Sequence, residues 1–145
     1  MHKVFVDTDV ILDLLMKREP FQEEAVELFK QFELKSIKGY TSPLVIANLH
    51  YLLSKIYNKK KSIELLTELL KIIAITKIDG ETLRLVFEEK KIKDFEDLIQ
   101  FHSAIERDID FIVTRNIKDF PKSDEIIIIK PDELLKIIES EREIP

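Results

Sequence analysis

Three short stretches carry most of the chemically capable side chains. Asp7 follows the apolar run Val4-Phe5-Val6, with Asp9 two residues on. Asp94-Phe95-Glu96-Asp97 opens a segment in which Asp97, Phe101, Ala104 and Ile105 recur at spacings of three and four, which sets Asp97 on or beside the inward face of a helix. Arg115-Asn116-Ile117-Lys118-Asp119 follows the apolar run Phe111 to Val113. Taken singly, these aspartates read equally well as turn and cap residues, with Asp94 as an N-cap and Asp97 favoured by the positive end of the helix dipole. Brought together, Asp7, Asp97 and Asp119 would repel one another unless a proton or a cation intervened. A divalent ion relieves that repulsion. Mg²⁺ takes hard oxygen ligands, keeps several waters and pairs with phosphates, so a partly filled carboxylate site suits phosphodiester chemistry.

The elements that must position these residues can be read from periodicity. Lys3 to Val6 is a strand feeding a helix through Val10, Ile11, Leu14 and Leu15. A second helix is predicted from about Pro20 to Leu34, and a third begins at Pro43 with Ser42 as its N-cap, after a brief strand near Gly39 and Tyr40. Lys59 to Lys61 punctuate before the helix carrying Ile63, Leu66, Leu69 and Ile73, and Ala74 to Thr76 is a strand. Asp79-Gly80 is a turn, Glu81 to Glu89 a helix, and Asp94 starts the next one. Asp110 to Thr114 and Ile126 to Ile129 are strands, the latter apolar enough to be covered on both faces, and Pro131 opens a last helix. Strands alternating with helices, and only two glycines, predict an α/β fold with a central parallel sheet between helical layers. In such sheets ligands bind beyond the carboxyl ends of the strands, where Asp7 and the segment after Val113 both fall.

These segments resemble the PIN-domain family, small nucleases that include VapC-like toxin ribonucleases, and the likeness spans almost the whole chain. Val4-Phe5-Val6-Asp7-Thr8-Asp9-Val10 is similar to the family's opening strand and first metal-binding aspartate. Thr41 to Asn48 is similar to the start of the helix that usually presents a glutamate. Asp94 to Ile99 is similar to the segment with the third acid, assigned to Asp97, and Ile112 to Phe120 to the closing motif. The resemblance implies a three-layer α/β/α PIN-like domain over residues 1–145 and a Mg²⁺- or Mn²⁺-dependent ribonuclease. Asp7, Asp97 and Asp119 would be metal ligands, and Asn116 and Asn48 would orient metal-bound waters. Thr114, Arg115 and Lys118 would lie at the substrate, with Asp9 and Asp94 supporting the ligands. It also implies a homodimer and an antitoxin protein as partner. Two positions depart from the family pattern: Asn48 stands where glutamate is usual and Asn116 where many members carry aspartate, each losing a charge but keeping an oxygen acceptor. Weaker metal affinity, with a need for Mn²⁺ or high Mg²⁺, is the expected consequence.

Composition narrows the field. The 145 residues include no cysteine, which excludes disulfides, zinc knuckles and thiol nucleophiles, and the three histidines lack ligand spacing. A domain of this length buries roughly 68–70% of its unfolded surface and can fold without a structural metal. No apolar run is long enough to span a membrane and no secretory signal opens the chain, so a cytoplasmic location is expected. With a net charge of −5, bulk attraction to RNA is absent, leaving local cations to grip phosphate: Lys55 with Lys59 to Lys61, Lys90, Lys91 and Lys93, and above all Arg115 and Lys118. His50 and His102 fall at interior helix positions and read as structural. Two rival readings remain. The strand Val4 to Val10 also fits a haloacid-dehalogenase-like phosphatase with Asp7 as nucleophile, but no Gly-Asp-rich metal loop accompanies it. Asn48 and Asn116 also allow a non-catalytic PIN-like module that binds RNA or protein.

Overall fold

The computed structural model describes residues 1–143. Five strands, β1 (Lys3–Val6), β2 (Lys38–Thr41), β3 (Ala74–Ile75), β4 (Phe111–Val113) and β5 (Ile127–Ile129), form one sheet in the order β3-β2-β1-β4-β5. All four neighbouring pairs are parallel, with Val4 opposite Gly39 on one side of β1 and opposite Phe111 on the other. The helices are α1 (Thr8–Leu15), α2 (Gln22–Glu33), α3 (Pro43–Ile56), α4 (Lys59–Leu69), α5 (Gly80–Phe87), α6 (Phe95–Glu106) and α7 (Pro131–Arg142), with a 3₁₀ turn at Ile117–Asp119. They complete the three-layer α/β/α arrangement expected of a parallel sheet, whose crossovers need a helix each. Among the described residues no helix is long and apolar enough to cross a membrane.

The central strand is the most completely buried. Val4, Phe5 and Val6 are inaccessible to solvent, as are Ile112 and Val113 beside them, and one contiguous cluster of buried apolar residues runs through the sheet and its covering helices. Gly39 on β2 marks the tightest approach: a Cβ there would come within 2.6 Å of Ile73 Cγ2 and 2.9 Å of Phe32, so α2 can pack onto this strand only over a glycine.

Several boundaries differ from those read in the sequence, each for a local reason. The second helix begins at Gln22 rather than Pro20, with Phe21 as its N-cap. Lys59 to Lys61 are not punctuation; they form the first turn of α4 because the Asn58 side chain accepts from Lys61 N at 2.7 Å. Asp79-Gly80 is a helix start, where Asp79 and Thr82 satisfy each other's backbone in a capping box. β5 is an edge strand; Ile127 at its start is 56% exposed, whereas Ile129 on the same face is buried and Ile128 on the other packs against the core.

Buried polar pairs lock the elements around the sheet's carboxyl edge. Ser42 caps α3 by accepting from Val45 N at 3.1 Å, and its hydroxyl donates to Gln100 of α6. Thr76 and Ser103 meet at 3.2 Å, and Thr41 donates to the Val6 carbonyl at 2.9 Å. All five of these side chains are buried, and the Ser42–Gln100 pair fixes α3 and α6 against one another. Gln100 is one helical turn from Asp97, and Ser42 begins the helix that carries Asn48. His50 Nδ1 and Ser62 Oγ, 2.8 Å apart, join α3 to α4, and His102 meets Glu89 at 3.2 Å, the structural roles expected of both.

Candidate active site

The strand order reverses direction at β1, because the chain moves outward from β1 to β2 and β3 and then returns to its other side for β4 and β5. The crevice between β1 and β4 is therefore the topological switch point, where a parallel sheet leaves room for a ligand. Asp7 closes β1 there. Its backbone N–H still donates to Val113 O of β4 at 3.0 Å, while its side chain turns to cap α1 by accepting from Thr8 N at 2.8 Å. The Thr114 hydroxyl donates to the other carboxylate oxygen at 2.8 Å, so both Asp7 oxygens are fixed and only 8% of the residue is exposed.

Across the crevice α6 begins with Asp94 as N-cap, accepting from Asp97 N at 2.9 Å. The expected capping arrangement is thus present, and it leaves the Asp97 carboxylate itself free to line the cleft. That cleft, of about 480 Å³, includes Asp7, Asp9, Asn48, Glu96, Asp97 and Asn116 on its walls. Burial is the main cause that raises the Asp7 carboxyl to about 6, followed by the charge of Asp9. Asp97 is raised further, to about 7, again by burial first and then by the charges of Asp7 and Asp94. No lysine, arginine or histidine forms an ion pair with either among the described residues.

Asp119 stands apart from this pair. It lines a smaller adjoining cavity of about 120 Å³ with Lys91, Lys93 and Asp94, although its charge still raises both Asp7 and Asp97. Among the described residues no three Asp, Glu or His side chains are gathered closely enough to cage an ion. The donors nonetheless suit a hard divalent cation: of the four carboxylates on the walls, Asp7 and Asp97 have no ion-pair partner among the described residues, amide oxygens lie nearby, and neither thiol nor imidazole lines the cleft. An ion there would keep several sites for water and phosphate.

The two asparagines each use their NH₂ on a carboxylate. Asn116 Nδ2 donates to Asp9 at 3.0 Å and Asn48 Nδ2 donates to Glu96 at 3.3 Å, which leaves both carbonyl oxygens as acceptors. Lys118 is exposed, and its carbonyl accepts from Lys93 Nζ at 2.8 Å. Arg115 reaches the cleft wall, but it is not the free cation its place in the sequence suggests. Its Nε and Nη2 hold Asp13 at 2.8 and 3.2 Å, its backbone N–H donates to Asp9 at 3.1 Å, and its guanidinium lies 3.9 Å from the Phe21 ring centre.

Asp13 and Arg18, which sequence reasoning missed, form the ion-paired surroundings of the cleft. Asp13 is 1% exposed and takes a further bond from Arg18 Nε at 2.9 Å, while Arg18 Nη2 donates to the Asp9 carbonyl at 3.1 Å. The available signal was its place one turn beyond Asp9, wedged between Leu12 and Leu14 on a helix with an apolar face. Asp9 is raised mainly by burial and lowered by its Arg115 bonds; its Oδ1 is buried with no partner. Glu96 was likewise missed, and only its neighbour Asp97 marked the turn.

A doubly wound parallel sheet with an acidic crevice at its switch point defines an α/β domain suited to a ligand that is cationic or bridged by a cation. More particularly, the chain belongs to the PIN-domain family, whose sequence profile matches residues 3–118. It is 31% identical over 125 residues to ribonuclease VapC1 of Aquifex aeolicus (strain VF5), covering 84% of this chain and 86% of that protein. Among solved structures, it is similar in fold to VapBC2 of Rickettsia felis bound to a DNA fragment from its promoter, at a TM-score of 0.63 and 19% identity over 88% of this chain and 98% of that one. It is also similar to the sarcin-ricin loop cleaving toxin VapC20 of Mycobacterium tuberculosis, at a TM-score of 0.61 and 16% identity over 84% and 92% of the two chains.

Proposed function

We propose that this chain acts as a single PIN-like domain that cleaves RNA endonucleolytically with a divalent metal ion, and that it is the toxin of a toxin–antitoxin pair. The observation that carries the reading is the facing of Asp7 and Asp97 in one cleft, both raised and neither paired with a cation. The relationship to a VapC ribonuclease over most of both chains supports it.

In this reading Asp7 and Asp97 hold Mg²⁺ or Mn²⁺, and Asp119 adds negative charge from the adjoining cavity. When bound, the ion supplies polarisation of the scissile phosphate and acidification of an attacking water. The protein's own part is positioning. Thr114 fixes the rotamer of Asp7, Asp94 fixes the first turn under Asp97, and the carbonyl oxygens of Asn48 and Asn116 accept from waters in the cleft. Asp9, tied to Arg115 and Asn116, holds the segment after β4 against α1. Lys118 is the exposed cation beside this segment that can meet phosphate. Exposed Ile56 on α3 and Ile63 on α4 support contacts with a second copy of the chain or with an antitoxin.

Calorimetric titration with Mn²⁺, followed by incubation of the same samples with a mixed RNA pool, tests this directly. Saturable binding and cleavage are expected in the wild type and both are expected to be lost in Asp7→Asn. A wild type that neither binds Mn²⁺ nor cuts RNA would leave a non-catalytic binding module in its place. The toxin assignment has its own test: cells induced to express the wild type should stop growing while the Asp7→Asn strain continues.

A further inference from the structure

One face of α3 forms a wall of the cleft. Asn48, Tyr51, Leu52 and Lys55 follow one another at spacings of three, one and three, which places them on one stripe of the helix. The opposite face, with Leu49 and Leu53, is wholly buried. Asn48, Tyr51 and Leu52 line the same cleft as Asp7 and Asp97. Leu52 is half-buried and packs on the core, whereas Tyr51 is 59% exposed, so a large ring stands in water a single turn from Asn48. Lys55 Nζ lies 4.2 Å from the centre of that ring.

The two arginines that line the cleft and the lysine one turn beyond Tyr51 are unequal. Arg18 and Arg115 are both committed to buried Asp13. Lys55 forms no ion pair among the described residues and is held only by the electron-rich face of Tyr51. An exposed aromatic ring next to an uncommitted ammonium is the pair of features that binds single-stranded nucleic acid: the ring stacks an unpaired base and the cation meets its phosphate.

We propose that Tyr51 is a stacking platform for one unpaired base of the RNA beside the scissile phosphate, with Lys55 contacting the flanking phosphate. This inference rests on the ribonuclease reading, and it requires the base at this position to be unstacked from its neighbours so that one face is free for the ring. Tyr51 is here a binding residue; it takes no part in bond cleavage.

The test is the affinity of a fluorescein-labelled single-stranded RNA 12-mer, measured by anisotropy on the full chain carrying Asp7→Asn so that no cleavage interferes. Adding Tyr51→Leu is expected to weaken binding roughly 5- to 100-fold, the range that one stacked base supports. Tyr51→Phe, which keeps the ring, should bind as the parent does, and Lys55→Gln should weaken binding and flatten its salt dependence. Tyr57→Leu, an exposed tyrosine outside the cleft, is the control and should change nothing. An abasic scan of the RNA makes the result specific: one position should cost the Tyr51 chain about what Tyr51→Leu costs, and should cost the Y51L chain nothing. Equal binding by Tyr51→Leu and the parent, or an abasic scan identical in both, would overturn the proposal, as would a loss confined to Lys55→Gln. Failure of the ribonuclease reading shows separately, as absence of Mn²⁺ binding and cleavage by the wild type, and does not alter the anisotropy comparison.

Discussion

Two pairs of aspartates lie within a few residues of one another at the edge of the sheet, and they have opposite electrostatic fates. Asp9 and Asp13, one turn apart on α1, lie beside Arg18 and Arg115: three guanidinium bonds reach the Asp13 carboxylate, while the Asp9 carboxylate accepts from the Arg115 backbone N–H and the Asn116 amide, and its backbone carbonyl accepts from Arg18 Nη2. Asp7 and Asp97, from different elements, face each other with hydroxyl and backbone donors but no cation. The first pair is a clamp closed by arginine at Asp13, with Asp9 tied in by neutral donors and one of its oxygens left buried without a partner. The second is a charge imbalance that a folded chain maintains at a cost, and such an imbalance is found where a ligand is meant to resolve it. Burial alone does not separate the two, because Asp13 is more deeply buried than Asp7. The presence or absence of an arginine does.

Removing the uncompensated charge should affect activity most and stability least. Asp7→Asn keeps a cap for α1 and a partner for Thr114, and it is expected to reduce RNA cleavage by on the order of 10³-fold, the scale of losing one preorganised electrostatic contact. In the absence of metal the variant should be no less stable than the wild type, because it relieves a carboxylate raised by burial and by Asp9. Urea denaturation in EDTA alongside a cleavage assay checks both halves. A variant that loses activity only in proportion to lost folding would erase the contrast between the two pairs.

The clamp should behave in the reverse way. Asp13→Ala leaves Arg18 and Arg115 facing one another without their shared anion, and since these guanidiniums are partly exposed the expected loss is near the low end for broken buried pairs, about 3 kcal/mol. Urea midpoints report it directly. Mn²⁺ affinity of the fraction that remains folded should change far less than in Asp7→Asn.

A third way to sharpen the contrast is pH. The folded-state pKa of Asp7, about 6, lies above its ordinary value of 3.8, so between those values the native chain binds more protons than the unfolded one. Stability therefore falls as pH rises through this window, by roughly 3 kcal/mol in total for Asp7, and stays low above it. Asp97 adds to the slope in the same direction. Denaturation in EDTA at pH 4.5 and 7.5 should show the metal-free wild type less stable at the higher pH relative to Asp7→Asn, and Mn²⁺ should recover the difference at pH 7.5. Indistinguishable pH profiles for the two chains would remove the charge imbalance from consideration.

The sequence made one of these pairs readable and concealed the other. Apolar runs ended by Asp7 and by Thr114 marked the carboxyl ends of β1 and β4, and the Asp94–Asp97 spacing marked the first turn of α6, because all three signals are local. Asp13 joins Arg115 from 102 residues away, and nothing in the intervening spacing encodes that meeting. The same limit applies to Asp119, whose helical turn was foreseeable as a polar cluster but whose displacement into the adjoining cavity depends on how that cluster packs against Lys91, Lys93 and Leu98. The edge position of β5 was illegible for a related reason: four consecutive isoleucines mark a strand, yet strand order alone decides which strand becomes an edge.

The smallest expected effect lies at the mouth of the cleft, where the contrast between the pairs is least developed. Glu96 is exposed and accepts a single 3.3 Å bond from Asn48, a neutral donor that orients its carboxylate without cancelling the charge. Asn48→Ala deletes that long, solvated bond, so stability should change by no more than about 0.5 kcal/mol. Cleavage should fall only a few-fold, because one water-orienting oxygen is lost while Asp7 and Asp97 remain. Asn48→Asp should do something different: it places a negative charge against Glu96 and inside the field of Asp97, deepening the imbalance without adding a cation. Metal-free stability should then fall below that of Asn48→Ala at pH 7.5, and Mn²⁺ affinity should rise. If the two variants at position 48 show the same Mn²⁺ affinity, the cleft does not sum its charges, and the imbalance is confined to Asp7 and Asp97 themselves.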